Sequence, residues 1–151
     1  MEQMIPHHED AVAMSELALV RAEHPELKQL AETIIQDQTR EIDEMRAWYR
    51  SWYGVDVPID GDGFRSRMGS GFMPGGMMHD EADLEVLQAA SVFDREFIEQ
   101  MIPHHQMGVM MARMVLSRSD RSEIEGLARS IIRTQTDEIE QMRAWYRAWF
   151  E

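Results

Sequence analysis

The sequence predicts an all-α protein: a four-helix bundle formed by two duplicated αα-hairpins, with a short connector helix between them. Two stretches, residues 2–53 and 99–150, match at a constant offset of 97 residues, and Glu2 to His8 is identical to Glu99 to His105. Apolar residues recur at helical spacing in both copies. Because only a few residues separate the two helices of each copy, these helices are expected to be antiparallel and to bury their apolar faces against the other hairpin.

The first helix of each copy is predicted by apolar residues at a helical rather than an alternating spacing. These residues are Ile5, Val12 and Leu19 in copy one, and Ile102, Val109 and Leu116 in copy two. The helix is expected to end near His24-Pro25 in copy one and near residues 117–122 in copy two. His24, which precedes the turn, is expected at the surface.

Copy two has a helical lead-in before its repeat begins, and copy one lacks it. The lead-in carries Phe93, Phe97 and Ile98, and Asp94 is expected to cap it. Pro103 must either kink the helix that follows or mark the point where a helix restarts, because proline cannot donate a backbone hydrogen bond. The backbone beside the paired histidines is therefore expected to be irregular.

The second helix of each copy is predicted to be long, with one broad apolar stripe. In copy one the stripe consists of Leu27, Leu30, Ile34, Ile35, Ile42, Met45, Trp48, Tyr49 and Trp52. Pro25 suits the first turn of this helix, where its missing N–H costs nothing, and Ser119 or Asp120 is expected to cap the equivalent helix in copy two. The aromatic end of the stripe is typical of core packing.

A connector at residues 54–92 joins the copies, and the whole chain, 1–151, is predicted to be one domain. Residues 54–76 are rich in Gly, Asp, Pro and Met, which favours a connector or lid without secondary structure. Residues 80–90 predict a short helix. Its expected apolar contacts are Leu84, Val86 and Leu87.

The overall composition excludes several classes of function. A net charge of −13 opposes binding to nucleic acid and favours cations as partners. No apolar run approaches the roughly 20 residues of a transmembrane helix, and no basic and apolar leader begins the chain, so we expect any export signal to be absent or already removed. The chain has 14 methionines and no cysteine, and this excess of thioethers without a thiol requires an explanation.

The central motif of each copy combines paired histidines with methionines at helical intervals. The candidate metal ligands are Met4, His7, His8 and Met14 in copy one, and Met101, His104, His105 and Met111 in copy two. Imidazole together with thioether favours copper, and Cu(I) in particular, because thioethers bind hard ions weakly. Structural zinc requires a closed set of four donors, which no single copy supplies. A zinc site with ligands from both copies remains an alternative. Copy two has further methionines at 107, 110 and 114, so its candidate site is the one with the softer ligands.

Each of these residues also has an ordinary structural explanation. Methionine packs irregular bundle cores well, and a buried histidine is often only a hydrogen-bonded core residue. Adjacent histidines point about 100° apart on a helix, so at most one of each pair is expected to face straight into the bundle, with the other at the rim or paired with a carboxylate. Glu41 and Glu138, which accompany Gln38 and Gln135 on the second helices, could hold an imidazole N–H or lie at the edge of the core.

The connector offers a further group of candidate ligands. Met77 and His79 could act as lid ligands with Met73 and Met78, since exposed methionines in a Gly-rich loop gain little from packing. Alternatively, this loop folds down and its methionines fill a gap. Sequence alone leaves both interpretations open.

The doubled Met-Ile-Pro-His-His motif, the Ile-Ile-x-x-Gln-x-x-Glu-Ile-x-x-Met segment after each copy, and the Met-Pro-Gly-Gly-Met-Met loop between them resemble the bacterial domain-of-unknown-function 305 (DUF305) family over essentially the whole chain. The resemblance implies a ferritin-like four-helix bundle, a periplasmic or secreted location, and copper binding or copper resistance in some members. It also implies that the histidines and methionines of the two central motifs are the ligands.

Three functions remain as hypotheses. The first is copper sequestration, transport or resistance through His and Met ligands. The second is an oxidase-like metalloenzyme with zinc or iron held by histidines and carboxylates, but no Glu-x-x-His di-iron motif and no catalytic motif occurs. The third is a helical scaffold or oligomerisation module whose methionines and histidines belong to the core. Independently of these three, a homodimer is a candidate assembly.

Overall fold

The computed structural model describes residues 1–58 and 81–151, and these ranges contain helices but no strand. The helices are α1 (Met4–Arg21), α2 (Pro25–Tyr53), α3 (Glu81–Ala89), α4 (Phe93–Leu116) and α5 (Ser122–Phe150). α1 and α2 form the first hairpin, α4 and α5 form the second, and α3 is the expected connector helix. The all-α prediction is confirmed, and none of these helices is long and apolar enough to cross a membrane.

A proline marks the start of the second helix of the first hairpin, and a glycine marks its end. α1 ends at Arg21 because Ala22 is extended (φ −60°, ψ 140°), and Pro25 is the first residue of α2. α2 ends at Gly54, whose φ of 71° lies in the left-handed region that glycine adopts at little cost. The Gly54 N–H donates to the Arg50 carbonyl and so satisfies one of the last carbonyls of the helix.

α4 is longer than α1 at its start and runs unbroken through Pro103. It begins at Phe93, whereas α1 begins at Met4, the counterpart of Met101. The shorter first helix of copy one and the lead-in of copy two were both expected. Since α4 continues across Pro103, the alternative of a helix that restarts there is wrong.

Asp94 does not cap α4, contrary to expectation. It lies in the first turn of that helix, which has Val92 at its N-cap and no side-chain cap. The buried Asp94 carboxylate accepts the backbone N–H groups of Glu23 and His24 at 2.9–3.2 Å, and its Oδ2 lies 2.5 Å from Nδ1 of His24. These N–H groups of the α1–α2 turn have no helical carbonyl to donate to, and they lie next to the start of α4. Asp94 therefore accepts from these N–H groups and not from those of its own helix.

Two smaller expectations were also wrong. Neither Ser119 nor Asp120 caps α5, because the N-cap is Arg121; the Ser119 hydroxyl accepts the Arg121 N–H inside the preceding turn. Val86 is not a core contact of α3, since it is 53% exposed while Leu87 is fully buried. A helix of about two turns buries only the side chains that face the helices it packs against, which here are α1 and α4.

Two apolar clusters fill the bundle, and α1 packs on α2, α4 on α5, and α1 on α4. The first cluster combines the end of α1, the start of α2, the start of α4 and the end of α5, together with Leu87 of α3. The second combines the start of α1, the end of α2, the end of α4 and the start of α5. The antiparallel arrangement thus brings opposite halves of the repeats together in each cluster.

Two contacts between turn residues and tryptophans join the hairpins at their ends. The His24 ring stacks on Trp149 of α5 with centroids 3.7 Å apart, so His24 is not simply a surface residue. At the counterpart positions, the Arg121 guanidinium lies 3.9 Å from the centroid of Trp52 on α2. Each α–α turn therefore rests on the last turns of the other hairpin's long helix.

Candidate metal centre

A layer of buried polar side chains lies between the two apolar clusters. On each of the four long helices, polar residues separate the residues that belong to one cluster from those that belong to the other. The layer comprises His7, His8, Gln38 and Glu41 from copy one, and His104, His105, Gln135 and Glu138 from copy two. Polar groups in a core are costly unless they are paired, so a complete polar layer is a strong candidate for a functional site.

One histidine of each pair is bound to a glutamate of the following helix. Nε2 of His8 lies 2.7 Å from Oε2 of Glu41, and Nε2 of His105 lies 2.7 Å from Oε2 of Glu138. An ionised carboxylate only accepts, so the imidazole hydrogen lies on Nε2 and the Nδ1 lone pair faces away from the glutamate. Among the described residues, Nδ1 of His8 and of His105 has no hydrogen-bond partner.

The other histidine of each pair meets its counterpart from the other repeat. The rings of His7 and His104 stack with centroids 3.8 Å apart and planes inclined by 27°. Nε2 of His7 donates to the backbone carbonyl of His104 at 3.1 Å. With centroid distances of 6.0 Å and 6.1 Å inside the two pairs, the four imidazoles form one row: His8, His7, His104, His105. The two repeats therefore build one shared centre.

Burial of the histidines differs from the expectation for adjacent helical residues. All four are buried, and none lies at a rim. The reason is that α1 and α4 pack directly against each other, so the direction that points away from α2 or α5 is also covered. Pairing of one histidine with a carboxylate, the other expected outcome, is what occurs.

Two glutamines and a glycine complete the layer. Gln38 and Gln135 are buried, and neither their amide nitrogens nor their amide oxygens have a hydrogen-bond partner among the described residues. A Cβ on Gly108 would lie 2.3 Å from Oε1 of Gln135 and 3.1 Å from Cε1 of His7, so a larger residue here would have to displace both side chains. Gly108 was not among the predicted site residues, although a lone glycine inside a helical pattern is a known sign of close packing.

The candidate methionines lie above and below the histidine row. Met14 and Met101 are fully buried in the first cluster. Met4 is buried in the second cluster, and Met111 is half-buried against it. Each side of the row thus has one candidate methionine from each repeat. The sequence of one repeat alone does not predict this arrangement. Met77 and His79, the expected lid ligands, lie outside the described residues.

The donors are those of a soft site rather than a hard one. In residues 1–58 and 81–151, no group of three or more His, Asp or Glu side chains is arranged to hold a metal ion. The imidazole nitrogens without a protein partner are instead flanked by clusters that contain thioethers. Imidazole with thioether suits Cu(I), while imidazole alone serves both oxidation states of copper.

Charge near the row differs between the repeats. Asp10 follows His7 by one turn, and its partial burial, with the nearby Glu9 carboxylate, raises its pKa from 3.8 to about 6. Copy two has Met107 at the same position, which carries no charge at any pH. The two ends of the row therefore differ in electrostatics although their histidine–glutamate distances are the same.

These features define a class: an all-α bundle whose core carries a histidine–glutamate layer flanked by methionines, a donor set that suits a soft metal ion. The chain belongs to the DUF305 family, since the model of that family, described as a domain of unknown function, matches residues 1–146. The resemblance inferred from the repeated motifs is confirmed.

Solved structures of similar proteins cover nearly the whole chain. CopM in the Cu(I)-bound form is 47% identical, with a TM-score of 0.83 over 99% of this chain and 94% of that chain. CopM in the Cu(II)-bound form is 50% identical, with a TM-score of 0.85 over 99% and 94%. A DUF305 protein of Streptomyces coelicolor, provisionally described as secreted, is 29% identical, with a TM-score of 0.81 over 97% and 89%.

One curated relative is similar over a shorter stretch. The uncharacterized protein L153 of Acanthamoeba polyphaga mimivirus is 34% identical over 55 residues, which are 36% of this chain and 36% of that protein. The chain therefore matches about a third of the length of this relative.

Proposed function

We propose that this protein binds copper, with Cu(I) preferred, in the buried histidine layer and the methionines beside it. The observation that carries the proposal is the shared row of four buried imidazoles, in which both repeats contribute to one centre. His8 and His105 would ligate through Nδ1, the atom without a protein partner. Met4, Met14, Met101 and Met111, which lie in the apolar clusters on either side of the row, would supply the thioether ligands.

Glu41 and Glu138 would act on the metal indirectly. Each glutamate accepts the Nε2 hydrogen of its histidine, which fixes the ring orientation and increases the basicity of the other nitrogen. Their negative charge would also offset that of a bound cation in a core with low polarity. The unpartnered amides of Gln38 and Gln135 are the remaining polar groups that a bound ion or its ligands could satisfy.

The comparisons support a soft metal ion, and copper in both oxidation states, since CopM is described in Ag-bound, Cu(I)-bound and Cu(II)-bound forms. The CopM structures, at 47–50% identity over almost the entire chain, hold Cu(I) and Cu(II). Their coverage includes both hairpins, so the similarity extends to the whole bundle and not to one motif. Sequestration or transport of copper is the role we infer, and a location outside the cytoplasm is inferred from the relative described provisionally as secreted.

The test is an anaerobic titration of the metal-free protein with Cu(I) against a competing Cu(I) chelator, with Zn(II) titrated in parallel. We expect tight Cu(I) binding and weaker Zn(II) binding, because thioethers add affinity only for the softer ion. Bound Cu(I) should also raise the melting temperature, since a ligand of the native state stabilises it.

A double variant, His8→Asn with His105→Asn, should lose the tight Cu(I) binding. The matched control is His24→Asn, which replaces a histidine bound to Asp94 at the end of the bundle and should leave Cu(I) affinity unchanged. Melting temperatures of the metal-free variants establish that both are folded. A wild-type protein that fails to compete for Cu(I) would overturn the proposal.

A further inference from the structure

Three methionines on α4 lie outside the buried centre and face solvent. Met110 is 46% exposed and Met114 is 47% exposed, and Met107 is half-buried beside them. At 100° per residue, these three positions fall within an arc of about 60° on one side of the helix. They therefore form a stripe of thioethers along two turns, which we call the α4 methionine stripe.

The stripe is specific to copy two. The counterpart positions in copy one are Asp10, Ala13 and Leu17, none of which carries sulfur, and Leu17 packs against the first apolar cluster. Core packing, which explains a buried methionine, does not explain two that are almost half exposed on adjacent turns. The stripe thus needs an explanation other than the fold.

The surroundings of the stripe favour a soft monovalent cation. In a chain with 28 acidic residues, none occurs between Glu99 and Asp120, whereas the same stretch of copy one contains Glu9, Asp10 and Glu16. Hard divalent cations require oxygen ligands, which the stripe does not offer. Thioethers without carboxylates select Cu(I) or Ag(I).

The spacing allows the three sulfur atoms to bind one ion. Residues three and four apart on a helix have Cβ atoms about 5–6 Å apart, and methionine has three rotatable side-chain bonds. Met110 lies between Met107 and Met114, so the outer two side chains need to reach only one turn along the helix. Met111, half-buried on the inner side of the stripe, packs against the second cluster.

We propose that Met107, Met110 and Met114 form a second, solvent-facing Cu(I) site, distinct from the histidine centre. This proposal rests on the proposed function, because it assumes that the protein meets Cu(I). The stripe would take up Cu(I) from a donor in solution, at weaker affinity than the buried site because it lacks imidazole.

The test uses the full chain with ¹³C-labelled methionine methyl groups, titrated anaerobically with Cu(I) and followed by NMR. We expect the methyl signals of Met107, Met110 and Met114 to shift together, at a later equivalent than the signals of Met101 and Met14. The triple variant Met107→Leu, Met110→Leu, Met114→Leu should bind one Cu(I) fewer and keep the tight site. Leucine preserves size and apolarity, and Met142→Leu is the control for loss of a thioether that belongs to neither site.

The same titration of His8→Asn with His105→Asn separates the two proposals. If the stripe signals still shift in that variant, the site is independent, as proposed. If the stripe signals do not shift in wild type while the tight site fills, the stripe proposal fails and the proposed function stands. If no methionine signal responds to Cu(I) and the chelator competition shows no Cu(I) binding, the proposed function itself has failed and the stripe fails with it.

Discussion

The two repeats are alike in the middle of the bundle and different on their outer faces. Both histidine–glutamate distances are 2.7 Å, and His7 stacks on its own counterpart, His104. On the outer side, Asp10 and Ala13 of copy one correspond to Met107 and Met110 of copy two. A side chain that must fit a partner from the other repeat has little freedom, whereas one that faces solvent can change alone. The comparison separates the shared centre from features specific to one copy.

The largest expected effect comes from breaking the shared centre. Glu138→Ala should lower the free energy of unfolding by about 3 kcal/mol, because it leaves the buried His105 without its charged hydrogen-bond partner. Glu41→Ala should cost the same within error, since His8 and Glu41 have equal geometry and burial. Urea denaturation of the metal-free proteins measures both values.

Glutamine substitutions provide the controls for this pair of variants. Glu41→Gln and Glu138→Gln keep an oxygen that accepts from Nε2 and should each recover most of the loss. A clear inequality between Glu41→Ala and Glu138→Ala would mean that the two halves of the layer are not energetically equivalent.

An intermediate effect is expected at the one position of the layer that is an exception to this likeness, Gly108, whose counterpart is Ala11. Gly108→Ala should destabilise the protein by about 1 kcal/mol net, because displacing Gln135 and His7 in a packed core costs about 2 kcal/mol and the better helix propensity of alanine returns about 1 kcal/mol. The counterpart change in copy one, Ala11→Gly, should cost about 1 kcal/mol through helix propensity and a small cavity. Thermal denaturation compares the two.

If Gly108→Ala were neutral or stabilising, the approach of α5 to α4 would be adjustable, and the glycine would not be a packing requirement. The same variant should also weaken Cu(I) binding, whereas Ala11→Gly should leave it nearly unchanged. That second measurement separates an effect on the layer from a general loss of stability.

The smallest effect is expected from the charge that only copy one carries. The pKa of Asp10 in the folded protein is about 6, above its ordinary 3.8, so its contribution to stability is fully present below about pH 4 and is lost as the pH rises through 6. Asp10→Asn should remove that loss and make the protein more stable at pH 7, by at most about 1 kcal/mol because the carboxyl group is partly exposed.

Chemical denaturation at pH 4 and at pH 7 tests the difference between Asp10→Asn and wild type. The two proteins should be equally stable at the lower pH and should diverge at the higher one. A gap that stays constant with pH would assign the effect to packing rather than to ionisation. Met107→Leu, the matched change in copy two, should show no pH dependence.

Much of the fold followed from local patterns. The repeat at an offset of 97, the helical spacing of apolar residues and Pro25 placed the hairpins close to their observed bounds. Capping was less predictable. Asp94 binds the α1–α2 turn, and Ser119 acts inside its own turn, because the choice of partner depends on which N–H groups pass nearby in space.

The sequence by itself determined the helices, the duplication, and the residue types that point to a soft metal. Only the tertiary structure decided how these residues combine. The stack of His7 on His104, the distribution of methionines on both sides of the row, and the close approach at Gly108 all arise between helices. A helical period fixes which side of its own helix a residue occupies, but the contact across a bundle depends on the crossing and register of two helices, which side-chain packing sets.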